Sequence, residues 1–151
     1  MKLAEALVLR GDVSKRLEQV KARLLRNARV QEGDEPAEDP ATLLAEYDRL
    51  AAELEALIAR INRTNGRTGL DGRTLTEALA ARDILRLRQT AYRELAEHAT
   101  VVQMVGTRTE VRFRSAVDVG AVQKMADELA RELRQLDSRI QEANWLTELE
   151  N

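Results

Sequence analysis

Residues that could do chemistry are few in this chain. The single histidine, His98, stands four residues after Glu94, so the two side chains could meet on one face of a helix and share a metal ion. Di-metal helical bundles, however, use a Glu-x-x-His motif from each of two helices, and that motif does not occur here. We therefore expect no metal site and no cofactor, with the imidazole in solvent or at a helix end.

Nucleophilic catalysis and phosphate binding have no better support. The sequence has no cysteine, and Ser14, Ser115 and Ser138 lack a histidine and an acid in a recognisable catalytic arrangement. The segment NRTNGRTGLDGR, residues 62–73, is rich in glycine but matches neither G-x-x-x-x-G-K-[ST] nor G-x-G-x-x-G, and it follows a predicted helix. The sequence predicts a protein that is not an enzyme.

Two arginines fall on or beside apolar helix faces, where an inward pair could hold an anion. Arg10 and Arg82 each follow a leucine of such a face by two helical turns. The alternative is that each arginine pairs with a carboxylate such as Asp48 or Asp127, or extends its guanidinium into water. We favour this alternative because unpaired charge is rarely buried.

A basic segment near residue 110 is a candidate for binding nucleic acid or a second chain. Residues 100–117 are rich in β-branched residues, and the period-two placement of Arg108, Arg112 and Arg114 predicts a β-hairpin. The arginines could follow a phosphate backbone, with Phe113 as a stacking platform. Because Phe113 alternates onto the opposite face and the net charge is −2, we favour neutralisation by acidic residues of this chain or of another copy.

A second candidate site is a polar group near the ends of two predicted helices, beside the only tryptophan. Its residues are Asn62, Asn65, Arg73, Asn144 and Trp145. Together they could bind a small ligand or a peptide. The simpler interpretation is that the asparagines end their helices and the arginine lies in solvent.

Composition favours helices for the elements that must position these groups. A chain of 151 residues suits a single domain, and 33% charged with 3% aromatic residues is typical of an all-α protein. No apolar run approaches the length of about 18 residues that a membrane-spanning helix needs, and the N-terminus does not resemble a signal peptide. We expect a cytoplasmic protein without a transmembrane helix.

The spacing of apolar residues predicts four long helices, over residues 3–28, 40–65, 74–99 and 118–147. The second and fourth carry their apolar residues at heptad spacing. Asp39 with Pro40, and Asp118, suit the starts of the second and fourth helices, and Thr74 with Glu77 forms a capping box before the third. A turn-rich segment, TNGRTGLDGR (64–73), separates the two halves of the chain.

Two segments of nearly the same sequence indicate an internal duplication. LAAELEALIARINRTN (50–65) aligns without gaps with LARELRQLDSRIQEAN (129–144), so the chain divides into repeats 1–65 and 73–147. Repeats of one supersecondary unit tend to bury each other's apolar faces. The predicted fold is therefore all-α: two duplicated helical hairpins in an up-down-up-down bundle or antiparallel coiled coil, with a small β-hairpin between helices 3 and 4.

Several stretches carry a family resemblance that extends over nearly the whole chain. RNARVQEGDEPAEDP (26–40), INRTN (61–65), LDGRTLTEALAARD (70–83) and QEANWLTEL (141–149) resemble a family of small bacterial proteins that bear the name septicolysin or are of unknown function. The name implies a cytolysin. No catalytic or binding residue is implied by the resemblance.

The function that the sequence favours is that of a non-enzymatic interaction protein. It would self-associate through apolar surface that the heptad seams, where the helices pack together, leave uncovered. One alternative is a cytolysin-like, membrane-active protein, which only the family resemblance implies. The other is a nucleic-acid-binding module that uses the basic segment 108–114.

Overall fold

A computed structural model describes residues 1–102 and 111–151. Four helices account for most of these residues: α1 (Leu3–Arg26), α2 (Pro40–Arg67), α3 (Leu75–Ala99) and α4 (Val119–Leu146). A two-stranded sheet of β1 (Gly69–Leu70) and β2 (Arg73–Thr74) lies between α2 and α3 in the chain. The four predicted helices are confirmed, with their ends within two residues of the predicted positions.

Three helices begin at the caps that the sequence predicts. The Asp39 carboxylate accepts hydrogen bonds from N–H groups of the first turn of α2, and Pro40 is the first helical residue. At the start of α3, the Thr74 hydroxyl accepts from the Glu77 N–H at 3.2 Å while the Thr74 N–H donates to Glu77 Oε2 at 2.7 Å. The Asp118 carboxylate accepts from a backbone N–H of α4 at 3.1 Å. These bonds satisfy donors that the helix itself leaves without a partner.

A β-hairpin occupies part of the segment that the sequence predicted to be only a turn-rich connection. β1 and β2 are joined by Asp71 and Gly72, whose φ angles are 52° and 81°. Two positive φ angles in succession are what a type I′ turn requires, and Asp-Gly is a favoured pair for it. The dipeptide was therefore a readable hairpin signal that the helix-centred interpretation missed.

The centre of the hairpin predicted over residues 100–117, residues 103–110, lies outside the described residues. On either side of that gap, residues 101–102 and 111–117 are not in strands. The hairpin between α3 and α4 therefore stays a prediction.

The chain divides into two compact units, and the first comprises Met1–Gly69 and Gln141–Asn151. In this unit α1 packs against α2 as a helical hairpin. Its core cluster consists of Val13, Val20 and Leu50, and Leu17, Tyr47 and Leu54 pack around it. The members of this cluster from α2, Tyr47, Leu50 and Leu54, stand at the predicted heptad spacing. The heptad row of α2 therefore packs against α1.

The connection between α1 and α2 is tied back to the end of α1. Glu38 receives hydrogen bonds from the Arg23 guanidinium, and its backbone N–H donates to Asn27 Oδ1 at 3.0 Å. The Asn27 amide in turn donates to the Arg23 carbonyl at 2.9 Å. The ion pair lowers the pKa of Glu38 below its ordinary value, because the guanidinium stabilises the ionised carboxylate.

The second unit comprises Leu70–Ile140, that is, nearly all of the hairpin, all of α3 and most of α4. Two ion pairs fix α4 in it: Arg82 Nη1 lies 3.4 Å from Asp137 Oδ1, and Arg139 Nη2 lies 2.5 Å from Asp71 Oδ1. Its buried apolar residues include Leu70, Leu75, Ala78, Ala96, Ala126, Leu129 and Ile140. One border between the units falls in the turn-rich segment 64–73, whereas the other falls inside α4, where the sequence gives no break.

Candidate functional site

The two termini lie side by side in the first unit. The Leu3 N–H donates to the Thr147 carbonyl at 2.9 Å, and the Leu149 N–H donates to the Met1 carbonyl at 2.8 Å. These bonds form a short antiparallel bridge between the first residues and the C-terminal tail, residues 147–151. The tail is therefore held in place by backbone pairing.

Ion pairs reinforce this bridge. Lys2 Nζ lies 2.7 Å from Glu148 Oε1, and the amino group of Met1 lies 3.2 Å from Glu148 Oε2. The two cations, Lys2 first, lower the pKa of Glu148 below its ordinary value of 4.5 because they bond to its ionised form.

A buried hydroxyl connects the tail to the end of α2. Thr64 is only 1% exposed, and its hydroxyl donates to the Arg60 carbonyl at 2.9 Å and accepts from the Glu150 N–H at 3.0 Å. Arg60 Nε also donates to the Glu150 carbonyl at 2.9 Å, and Arg67 pairs with the Glu150 carboxylate at 2.6 Å. Thr64 follows the heptad spacing of the buried residues of α2, and a buried polar group at such a position needs hydrogen-bond partners.

The predicted polar site divides into residues with different surroundings. Asn65 is half-buried and Asn144 is 6% exposed, but neither ends its helix, because α2 continues to Arg67 and α4 to Leu146. The capping interpretation is therefore wrong for these two asparagines. Trp145 is 59% exposed.

The other two residues of that group line different surfaces. Asn62 is exposed on α2, at the edge of an apolar groove in the first unit. Arg73 is exposed on β2, in the second unit. A ligand site formed by all five residues stays a prediction.

Apolar surface remains uncovered along one side of α2. Leu44, Ala51 and Ile58 follow one another at intervals of seven residues, directly after the buried Leu43, Leu50 and Leu57. Leu44 is 49% and Ile58 38% exposed. We call Leu44, Ala51, Leu54 and Ile58 the apolar stripe. Together with Leu17 of α1, part of the stripe lines a shallow groove of about 440 Å³.

The aligned face of α4 has a different chemistry. In the alignment of the two repeats, Gln123 and Asp137 take the positions of Leu44 and Ile58. Asp137 is engaged by Arg82 in the second unit. At these two positions the apolar character belongs to the first repeat alone, whereas Ala51 and Leu54 align with Ala130 and Leu133.

Arginines line two adjoining depressions on the second unit, of about 710 and 500 Å³. Arg73, Leu85 and Glu132 border both of them, Arg134 borders the larger and Arg88 the smaller. We call this surface the arginine groove.

The charges of the arginine groove are unevenly partnered. Arg139 also borders the larger depression, and it is paired with Asp71. Arg73, Arg88 and Arg134 are exposed, and none of them takes part in an ion pair within the described parts of the chain. The groove therefore keeps an excess of positive charge at its surface.

Arg10 and Arg82 have different surroundings. Arg10 is exposed, whereas the Arg82 side chain is 22% exposed and pairs with Asp137 instead of the expected Asp127. Arg82 Nε lies 3.5 Å from Asp83 Oδ1 but is buried without a hydrogen-bond partner among the described residues. Arg82 fits the alternative of a paired arginine beside the apolar face.

The basic segment lies partly outside the described residues. Arg108 is among those that are not described. Arg112 and Arg114 are exposed, and Phe113 is 81% exposed.

The histidine lies at the surface near the end of α3. His98 Nδ1 donates to the Glu94 backbone carbonyl at 2.9 Å, which places the ring against its own helix. Within residues 1–102 and 111–151, no three acidic or histidine side chains are grouped so that they could hold a metal ion. Over the same residues, no helix has both the length and the apolar character needed to span a bilayer.

Comparisons with known proteins extend over nearly the whole chain. The pattern of a family described as "Family of unknown function (DUF6847)" matches residues 10–149. The crystal structure of a functionally unknown conserved protein from Corynebacterium diphtheriae is 42% identical, covers 99% of both chains and superposes with a TM-score of 0.92. No curated protein matches the chain. Neither description mentions septicolysin or a cytolytic activity.

Proposed function

Since the chain belongs to the DUF6847 family, whose function is unknown, we propose a function from its own surfaces: a non-enzymatic interaction protein that self-associates through the apolar stripe of α2. The observation that carries this proposal is the row of leucine, alanine and isoleucine positions beside the buried seam. A helix that packs against a single partner needs only a narrow apolar face, and additional rows are typical of helices with a second neighbour.

The order of side chains along the stripe supports a second copy as that neighbour. A contact between identical copies related by a twofold axis must be complementary to itself. Small and large residues alternate here, with Ala51 before Leu54 and Ile58 before Ala59. In an antiparallel pair of α2 helices, the large side chains of each helix would fit beside the small ones of the other.

The difference between the repeats supplies the test variant. Ile58→Asp places on α2 the residue type that α4 has at the aligned position, Asp137. A fully buried isoleucine contributes roughly 1.5–3 kcal/mol, and a symmetric contact loses two of them while burying two unpaired carboxylates. We expect the association constant to fall about a hundredfold or more.

Sedimentation equilibrium from about 1 to 200 μM measures this effect. The wild type should exceed the monomer mass of 17.0 kDa as its concentration rises, and Ile58→Asp should remain near it. Leu87→Asp is the matched control, because Leu87 is 66% exposed on a different helix, α3. Leu44→Asp repeats the test at a more exposed position, with circular dichroism to verify the helix content. A wild-type protein that is monomeric at every concentration would refute self-association.

The alternatives make separate predictions. A membrane-active protein, as the septicolysin resemblance implies, should release dye from liposomes. A nucleic-acid binder should be retained on DNA or RNA in a salt-dependent manner and lose that retention when Arg112 and Arg114 are changed to Glu. We favour self-association because the exposed apolar residues follow the heptad register of a packed helix.

A further inference from the structure

We propose that the arginine groove of one copy receives the acidic connection between α1 and α2 of a second copy, a segment that carries Glu32, Asp34, Glu35, Glu38 and Asp39. This inference rests on the proposed self-association and adds a second contact to it. Its basis is the complementary charge of two surfaces, each of which has three charged side chains that form no ion pair within the described residues.

On the acidic side, the connection carries more carboxylates than it uses itself. Glu38 is paired with Arg23, and Asp39 caps α2. Glu32, Asp34 and Glu35 are exposed and take part in no ion pair among the residues described. Three carboxylates thus remain available to a partner.

The conformation of the connection groups these carboxylates on a turn. The Asp34 N–H donates to the Gln31 carbonyl at 3.0 Å, and Gly33 within this turn has a φ of 91°. Such a turn, tied to α1 by the Arg23–Glu38 ion pair, loses less conformational freedom on binding than a flexible segment would. The acidic connection is therefore a preformed element.

On the basic side, Arg73, Arg88 and Arg134 provide three guanidinium groups around depressions of about 710 and 500 Å³. Guanidinium groups bind carboxylates through paired, parallel hydrogen bonds, which gives such contacts a defined geometry. The groove contains one carboxylate of its own without an ion-pair partner in the described residues, Glu132, so it remains net positive when the acidic connection is absent.

The contact should be electrostatic and of moderate strength. Exposed ion pairs contribute little individually, and three of them together correspond to about a tenfold change in affinity. Because salt screens exposed charges, the contribution should be nearly lost between about 0.05 and 0.5 M NaCl. The apolar stripe, by contrast, should associate at either salt concentration.

A charge exchange between two chains tests this pairing. One variant carries Arg73→Glu, Arg88→Glu and Arg134→Glu, so that its groove and its connection are both acidic. The other carries Glu32→Lys, Asp34→Lys and Glu35→Lys, so that both are basic. When either variant pairs with itself, its groove faces a connection of the same charge. When the two variants pair with each other, each groove faces a connection of opposite charge, so both contacts of a twofold pair are restored. Carrying all six changes in one chain should also restore self-association, which checks that the substitutions do not unfold the protein.

Fluorescence anisotropy of a labelled variant, titrated with itself or with the other variant at about 0.05 M NaCl, measures the exchange. We expect about tenfold weaker self-association of each variant and a mixed complex at least as strong as that of the wild type. The matched control is the double variant Arg112→Glu with Arg114→Glu, since these exposed arginines lie outside the groove. This control should bind the variant with the three lysine substitutions as strongly as the wild type binds it.

Each adverse outcome is distinct. If the two variants self-associate like the wild type while Ile58→Asp does not, this inference is wrong and the proposed function stands. If both variants are weakened but form no mixed complex, the charges act within one chain or on another anion such as nucleic acid, and the contact between copies is refuted. If the wild type is monomeric throughout, both proposals fail.

Discussion

Glycines show most directly how a single residue is matched to its backbone. Gly11 is inside α1 and Gly33 is in the acidic connection with a φ of 91°, and a Cβ atom on either would meet nothing within 4 Å. We expect Gly11→Ala to raise the free energy of unfolding by about 1 kcal/mol, because alanine favours the helix. Gly33→Ala should lower it by about 1 kcal/mol or more, because a side chain is strained in the left-handed region.

Urea unfolding, monitored by circular dichroism at one protein concentration, measures both changes. The same atoms are added in each variant, so opposite signs can arise only from backbone conformation. A loss of stability in Gly11→Ala would mean that a close contact or bend requires glycine there.

Helix caps could be predicted from single residues and their near neighbours in the sequence, whereas ion-pair partners far apart in the sequence could not. The caps at Asp39, Thr74 and Asp118 depend on neighbours a few residues away, and all three were predicted. The ion pair of Arg82 joins it to Asp137, 55 residues further along the chain. Heptad spacing places several carboxylates at comparable positions, so the sequence alone named the wrong one.

At the scale of elements, the C-terminal tail depends on one buried hydroxyl of α2. Thr64→Val keeps the shape of the side chain but removes the acceptor of the Glu150 N–H and the donor to the Arg60 carbonyl. Leaving the amide of a partly buried tail without a partner should cost about 1–2 kcal/mol. Hydrogen exchange of the Glu150 amide should also accelerate, because the tail would open locally.

Ser14→Ala is the control for this change. The Ser14 hydroxyl donates to the Arg10 carbonyl at 2.8 Å, as Thr64 does to its own helix, but no tail residue bonds to it. Its loss should change stability by less than about 0.5 kcal/mol. If the Glu150 amide exchanged equally slowly in wild type and Thr64→Val, Arg60 and Arg67 alone would suffice to hold the tail.

Helices were easier to predict than the hairpin for a physical reason. Each helix repeats its apolar spacing over 24 residues or more, whereas β1 and β2 have two residues each and show no measurable period. Only the Asp71–Gly72 turn marked them. Likewise, the heptad pattern places Leu50 in a seam, but it does not reveal whether the adjacent row at Ala51 and Ile58 is covered.

At the scale of the whole molecule, carboxylates in several elements link stability to pH. The Arg23 guanidinium lowers the pKa of Glu38, and the Lys2 ammonium group lowers the pKa of Glu148. Hydrogen bonds from the Thr42 hydroxyl and the Thr74 N–H lower the pKa values of Asp39 and Glu77 in the same order. A lowered pKa in the folded state means that the unfolded chain takes up protons first as the pH falls. Their contribution is complete above the ordinary values of 4.5 for glutamate and 3.8 for aspartate, and it is lost as the pH falls through the folded-state values.

As far as these four carboxylates are concerned, the urea midpoint of the wild type should be constant between about pH 7 and 5. Below about pH 4.5 the wild type should lose stability steadily as the carboxylates become protonated. Glu38→Gln combined with Glu77→Gln should be less stable at neutral pH but decline less on acidification, because two of the four linked carboxylates are gone.

The control is Glu18→Gln, an exposed position on α1 that forms no ion pair within the described residues. Measurements belong at one low protein concentration, since association would itself stabilise the folded chain. Equal slopes for the double variant and the wild type below pH 4.5 would show that protonation elsewhere governs acid unfolding, and that these carboxylates act only as local ties.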